Sequence, residues 1–514
     1  MNRSLTILIA SVAALAGLVW LTPSGRMRPG LPAAKTDAQG NTTAPPLVVF
    51  CAASNRAVME AVRADYEAEF GVLVNVQYGP SQTLLANLEV SGAADLYLPA
   101  DDSYLDLGRD KRLIVETIPV AEMHAVLAMA KDSTTKVASL ADVLASDLKL
   151  VQANPEAAAI GKLTKDLLTE AGTWDAVRER TIAFKGTVNE VANDVQIGAA
   201  DVGIVYDAVL TTYPKLIAVR VPELANLSAH IAIGVASSSE QPQRALHFMR
   251  YLSAPEKGLK RYEEFGFQTV AGDPWTDAPE LTLYAGSMLR PAIERTLAEF
   301  QDREGVRVTT VFNGCGILVA QMKAGHVPDA YFACDSEFMQ QVHDLFPAPT
   351  DVSQNELVIL VPKGNPQQIK SLLDLSKEGL RVGIGHEKQC AMGWLTQKTL
   401  KEGGVQTEVM KNVTVQTPTG DMLVNQMRAG SLDAAVAYLS NAAGSAKELD
   451  AIRITNIPCS VATQPYAVAQ SAKYPRLAER LQQRLKSAES QSQFESQGFV
   501  WKARPATAAV APKE

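Results

Sequence analysis

A few hydroxyl side chains in this sequence stand where short apolar runs end. Ser54 follows LVVFCAA, Ser81 follows VNVQYGP, and Tyr206 closes ADVGIVY. Two more loops belong with them. NPEAAAIG (154–161) opens a helix at Ala159 and Ile160, and Thr187-Val188-Asn189 opens another. Hydroxyls and the unpaired N–H groups of a helix's first turn are hydrogen-bond donors, and the helix start adds partial positive charge. Donors of this kind, gathered without a counter-charge, suit a small anion. Taken singly, Ser54 and Ser81 read better as plain helix N-caps; several such loops converging make a site. Lys162, at one edge, is the only cation in these loops. A fully ionised oxyanion offers only acceptors, so a donor-only site selects it over a protonated anion such as phosphate.

Something must bring these loops together. LVVF, VLVNVQY, DLYLPA, MHAVLAMA, LKLVQA, ADVGIVY and LIAVRVP alternate with helical stretches. That alternation predicts parallel sheets covered by helices. In open α/β sheets, ligands bind beyond the carboxyl ends of the strands. MHAVLAMA is expected to cross into a second lobe, and the helical stretch from Pro242 to Phe265 to return to the first.

The pattern then occurs again. LVVFCAASNRAVMEAVRADYEAEF from Leu47 matches LTLYAGSMLRPAIERTLAEFQDRE from Leu281. Ser54 is paired with Ser287 at an offset of 233, Asp95 with Asp329 and Asp101 with Asp335 at 234, and Tyr206 with Tyr438 at 232. A near-constant offset of domain length indicates a tandem duplication. The expected organisation is a signal or membrane anchor (1–24), a Pro/Gly/Thr-rich stalk (25–46), a first module (47–272), a linker (273–280), a second module (281–502) and a tail (503–514). Each module is α/β, with two lobes and a cleft between them.

The pieces AAS (52–54), GPSQTLLANLEVSGAADLYLPAD (79–101), NPEAAAIGK (154–162) and TVNEVANDVQIGAADVGIVYDA (187–208) resemble the periplasmic molybdate-binding proteins of ABC importers, a branch of the type II binding-protein fold. The resemblance spans nearly all of 47–272 and, more loosely, the second copy. It implies a tetrahedral dianion held without a charged partner, by Ser54, Ser81, the N–H of Ile160 or of its neighbour Ala159, the N–H of Val188, and the Tyr206 hydroxyl. It implies no cofactor, a membrane permease as partner, and a periplasmic location.

The second copy departs from this pattern. Ser81 becomes Cys315, the third loop becomes GIGHEKQCAMGW with His386, Cys390 and Met392, and Gly420 takes the Val188 place. Ser287 and Tyr438 persist, and Cys334 stands beside Asp335. Sulfur and imidazole suit soft metals. An oxyanion site of altered selectivity and a degenerate copy are the other readings.

Bulk composition excludes several classes. The chain has 514 residues, too many for one core, and a net charge of −8, which argues against non-specific nucleic-acid binding. Five cysteines without a CxxC pair do not make a disulfide scaffold, and Cys51 reads as core. No Walker loop or GxSxG is present, and His124 and His230 fall in no catalytic motif, so a binder is expected rather than an enzyme. Arg3 precedes an uncharged apolar run from Leu5 to Leu21 with poor cleavage signals, which predicts export and an inner-membrane anchor. No cysteine near its end offers a lipid site. Transport and ligand sensing remain two readings of such a chain.

Overall fold

The computed structural model describes residues 45–503. The expected anchor and nearly all of the expected stalk and tail lie outside the described residues. The first sheet system contains β1 (Leu47–Ala52), β2 (Val74–Gly79), β3 (Leu96–Leu98), β4 (Ile114–Ala130), β5 (Leu150–Ala153), β6 (Thr181–Lys185), β7 (Val202–Tyr206), β8 (Leu216–Val219), β9 (Ser228–Ala236) and β10 (Gln268–Thr269). Its order is β2-β1-β3-β9-β4-β7-β5-β6. β1 pairs in parallel with β2 and β3, and β5 with β6 and β7. These parallel groups form two lobes, with helices as crossovers. The 17-residue β4 belongs to both, pairing antiparallel with β9 in one lobe and with β7 and β8 in the other, so the sheets are mixed rather than parallel as expected, because β4 and β9 cross between lobes without a covering helix. The helices Pro242–Leu252 and Gly258–Glu264 return to pack on the Arg56–Phe70 helix of the first lobe, as the sequence predicts.

The second system repeats this plan with β11 (Glu280–Gly286), β12 (Arg307–Asn313), β13 (Ala330–Phe332), β14 (Thr350–Pro362), β15 (Val382–Gly385), β16 (Val413–Thr417), β17 (Ala434–Tyr438), β18 (Leu449–Arg453), β19 (Val461–Val468) and β20 (Val500–Trp501). Its order, β12-β11-β13-β19-β14-β17-β15-β16, matches the first position by position. The fold is therefore two tandem α/β modules, each of two lobes. Each has its own apolar core, around Tyr66, Tyr97 and Phe248 in one and Tyr331, Phe346 and Phe494 in the other.

The matching elements correct one pairing. Leu47 stands opposite Val74 and Leu281 opposite Val308, and these strands lead into matching turns, Ala53–Asn55 and Ser287–Leu289, and matching helices, Arg56–Phe70 and Arg290–Glu304, all at an offset of 234. Ser287 therefore occupies the place of Ala53, and Met288 that of Ser54. The similar spelling, AAS at 52–54 and AGS at 285–287, suggests an offset of 233; the matching turn and helix starts decide against it.

The connection between modules is pinned. Trp275 meets the rings of Phe70, Tyr251 and His247 edge-on at 5.7, 5.2 and 5.1 Å. The Asp273 carboxylate accepts the Arg476 and Leu477 N–H groups, both at 2.9 Å, at the start of the Pro475–Leu485 helix. Beside it, Glu304 is fully buried and accepts from Arg250 of the first module (3.2 Å) and from Arg480 of the second (2.6 and 3.0 Å). Burial pushes the Glu304 carboxyl up, but Arg480 and then Arg250 outweigh it and hold it below the usual carboxylate range. Arg303 and Glu116 add a second cross-module pair at 2.9 Å.

Candidate functional site

In the first module the structure brings Ser54, Ser81, Ala159, Ile160, Val188 and Tyr206 to the wall of one cavity between the lobes, about 250 Å³ including its mouth. Ala52, Ala53, Gly79, Pro80, Ala100, Ala158 and Thr187 complete the wall. The sequence analysis names the loops and segments that hold these residues but gives none of them a role, because most contribute shape and backbone rather than side-chain chemistry. No charged side chain lines it.

The elements explain the convergence. β1 ends at Ala52 and leads through a short 3-10 turn, Ala53–Asn55, into the Arg56–Phe70 helix. β2 ends at Gly79, and Pro80 caps the Ser81–Ser91 helix with no side-chain bond. From the other lobe come the starts of the helices Ala159–Glu170 and Val188–Gln196. Neither serine acts as a cap. Ser54 Oγ accepts from Asn55 Nδ2 at 3.3 Å, and Ser81 Oγ accepts from the Ala100 N–H at 3.1 Å. Thr187 does cap its helix, its hydroxyl accepting from the Glu190 N–H at 3.3 Å. The loops touch across the cleft where the Gln82 N–H donates to the Ala157 carbonyl at 3.1 Å.

Tyr206 is 1 % exposed, and its hydroxyl has no hydrogen-bond partner. Burial, and then the nearby Asp101, push this phenol well above its ordinary value, so at neutral pH it holds its proton and is a donor. Asp101 itself is occupied, accepting the His230 N–H at 3.2 Å and the Ser103 hydroxyl at 2.5 Å. Asp95 accepts the Val48 N–H at 2.9 Å, and Asp329 the Thr282 N–H at 2.7 Å. Asp95, Asp101 and Asp329 therefore tie loops to strands, while Asp335 caps the Ser336–Gln340 helix, accepting the Glu337 N–H at 2.8 Å.

In the second module Cys315, Cys334 and Cys390 replace three wall residues, Ser81, Ala100 and Ala158. The Cys334 N–H donates to Cys315 Sγ at 3.1 Å, as Ala100 does to Ser81, and the two sulfurs are 2.8 Å apart. Gly286 stands where the first module has Ala52, and a Cβ there would overlap Cys334 Sγ. Gly314 and Gly316 lie against the carbonyls of Gln389, Pro418 and Lys388 with no room for a Cβ, and the Gly316 N–H donates to the Gln389 carbonyl at 3.1 Å. Gly420 is equally tight against Asn441. Cys390 caps the Ala391–Glu402 helix and is buried. Tyr438 is 2 % exposed with an unpartnered hydroxyl, raised by burial and then by Asp335. His386 Nδ1 accepts the Lys388 N–H at 3.3 Å. Among the described residues no three His, Cys, Asp or Glu side chains form a group that could hold a metal ion.

Comparison with known proteins gives consistent matches. A family model described as bacterial extracellular solute-binding protein matches residues 47–268 and again 281–500. A putative binding protein of Haemophilus influenzae is 26% identical over 228 residues, 43% of this chain and 91% of the relative. The molybdate-binding protein ModA of Mycobacterium bovis is 25% identical over 231 residues, 44% of this chain and 87% of the relative. Among solved structures, the periplasmic molybdate-binding protein of Azotobacter vinelandii is 19% identical, covers 44% of this chain and 100% of its own, and has a TM-score of 0.39.

Proposed function

This chain belongs to the bacterial extracellular solute-binding proteins, and we propose that its first module captures a fully ionised tetrahedral oxyanion, molybdate or tungstate, for the permease of an ABC importer. The observation that carries this reading is the Tyr206 hydroxyl, protonated, buried and without a partner on the wall of a cavity that has no charged side chain. A buried donor left unmatched is costly, and an anionic acceptor removes the cost. The hydroxyls of Ser54 and Ser81 and the first-turn N–H groups of Ile160 and Val188 supply the remaining donors. Ser54 and Ser81 belong to one lobe, Tyr206, Ile160 and Val188 to the other. Only the closed form makes both sets of contacts, so ligand shifts the population toward closure, the form a permease reads.

The reading makes the chain a binder rather than an enzyme, in line with relatives named as binding proteins. It places the chain outside the inner membrane, anchored by the apolar run from Leu5 to Leu21, and as a delivery component rather than a sensor. Calorimetry of the full chain against molybdate, tungstate, sulfate and phosphate tests it. Heat with the first two and none with phosphate is expected, and Tyr206→Phe should remove most of the affinity. A chain indifferent to all four anions overturns the reading, as does undiminished affinity in the variant.

A further inference from the structure

We propose that Cys315 and Cys334 are a reversible dithiol–disulfide pair built into the cleft of the second module. Their sulfurs are 2.8 Å apart and both side chains are buried, Cys315 fully. A disulfide closes at about 2.05 Å, so the bond needs a movement of roughly 1 Å or less. The pair depends on three differences between the copies that make sense only together. Cysteine replaces Ser81 and Ala100, and glycine replaces Ala52 where a methyl would overlap the Cys334 sulfur.

The two thiols are unequal. Burial pushes the Cys315 thiol up, but hydrogen bonds from the Cys334 thiol and N–H outweigh it and bring it below its ordinary value, while Cys334 is raised well above. That makes Cys315 the attacking sulfur. With a low-molecular-weight disulfide as oxidant, the Cys315 thiolate attacks one of its sulfurs, a mixed disulfide forms, and one thiolate leaves. Cys334 then gives up its proton and attacks the Cys315 sulfur, and the second thiolate leaves. Two cysteine thiols lose two electrons and two protons; the oxidant becomes two thiols. The reagent reaches Cys315 when the lobes part, because in the closed form Gly314 and Gly316 press on the carbonyls of Gln389 and Lys388.

The bond has a consequence for binding, which rests on the anion-binding reading of the first module. Cys315 holds the place of the Ser81 donor. In the reduced pair the protons of both sulfurs remain and in the disulfide neither does, so oxidation alters the wall of the second cleft at the Ser81 position and leaves the first untouched.

The test counts thiols and needs no anion. Cys459, the only cysteine that is not buried, is first replaced (Cys459→Ser), leaving four of the chain's five. The full chain is treated with oxidised glutathione or with dithiothreitol, unfolded, alkylated with N-ethylmaleimide and weighed. Two adducts are expected after oxidation and four after reduction, with a peptide joining Cys315 to Cys334. Adding Cys334→Ala, the first module's own residue, should give three adducts after reduction and, after oxidation, two adducts with one glutathione held on Cys315 and no bridged peptide. Four adducts after oxidation, or a bridge between any other pair, overturns the proposal.

Discussion

The Ala100 N–H donates to Ser81 Oγ at 3.1 Å. That bond occupies an acceptor position of the hydroxyl from the wall side, and leaves its proton free to point toward the cavity. A serine held in this way has one acceptor position taken and a proton to give, which suits an acceptor-only guest.

Ser81→Ala should weaken molybdate binding by about 1–3 kcal/mol, and leaves the Ala100 N–H without its acceptor, so stability falls as well. Tyr206→Phe separates the two effects. Its hydroxyl has no protein partner to lose, so the melting temperature of the ligand-free chain should hold or rise while affinity falls by a similar amount. Calorimetry and thermal melts on the two variants check this. A Tyr206→Phe chain that melts lower in the absence of ligand would show that the hydroxyl has a structural bond.

The first-module site was legible because its chemistry follows strand ends. Ser54, Ser81 and Tyr206 each stand at the last residue of an apolar run or just after it, and parallel sheets bring such ends to one edge. The second module was harder. The spelling around Ser287 suggests a kept hydroxyl, and the matching turn and helix starts put Met288 at the Ser54 position. Cys334 drew notice as a cysteine, but its closeness to Cys315 depends on β13 and the loop before the Cys315–Lys323 helix meeting in space. Glu304 was not legible at all. At the end of a charged helix it reads as solvated, and its burial comes from the other module packing over it.

Gly286→Ala should destabilise the chain by about 1–3 kcal/mol, because the new methyl overlaps the Cys334 sulfur. Cys334→Ala in the same chain should recover most of that, since it recreates the Ala52–Ala100 pair of the first module. A double-mutant cycle by urea unfolding measures the coupling. Additive losses would mean that the two sites do not share this space.

Glu304→Ala leaves Arg250 and Arg480 facing each other in a buried place. A loss of about 3–5 kcal/mol is expected in chemical denaturation, far above that of an exposed pair such as Lys411–Glu408. A loss under about 1 kcal/mol would show the cluster to be hydrated and open.

Acid should loosen the chain through one buried imidazole. His247 is 1 % exposed, its Nδ1 bonded to the Tyr66 hydroxyl at 2.8 Å and its Nε2 to Asp277 at 2.7 Å. Burial, and then Arg250, push its imidazole down from 6.5 to about 4, against the pull of Asp277. The folded pKa lies below the unfolded one, so the unfolded chain binds the proton more readily. Stability is complete above the unfolded value and is lost as pH falls toward 4, by about 2 kcal/mol at pH 5. Urea midpoints at pH 7.5 and pH 5 in the parent and in His247→Gln check this; the variant's midpoint should move less.

The ionic clamp around Glu304 and the packed Trp275 make the connection a weld instead of a string. Two mouths on a welded body keep one spacing and one relative aim whatever either of them holds. A docking partner with two matching seats would gain avidity without first ordering a tether, whereas a partner with one seat must choose between two fixed approaches.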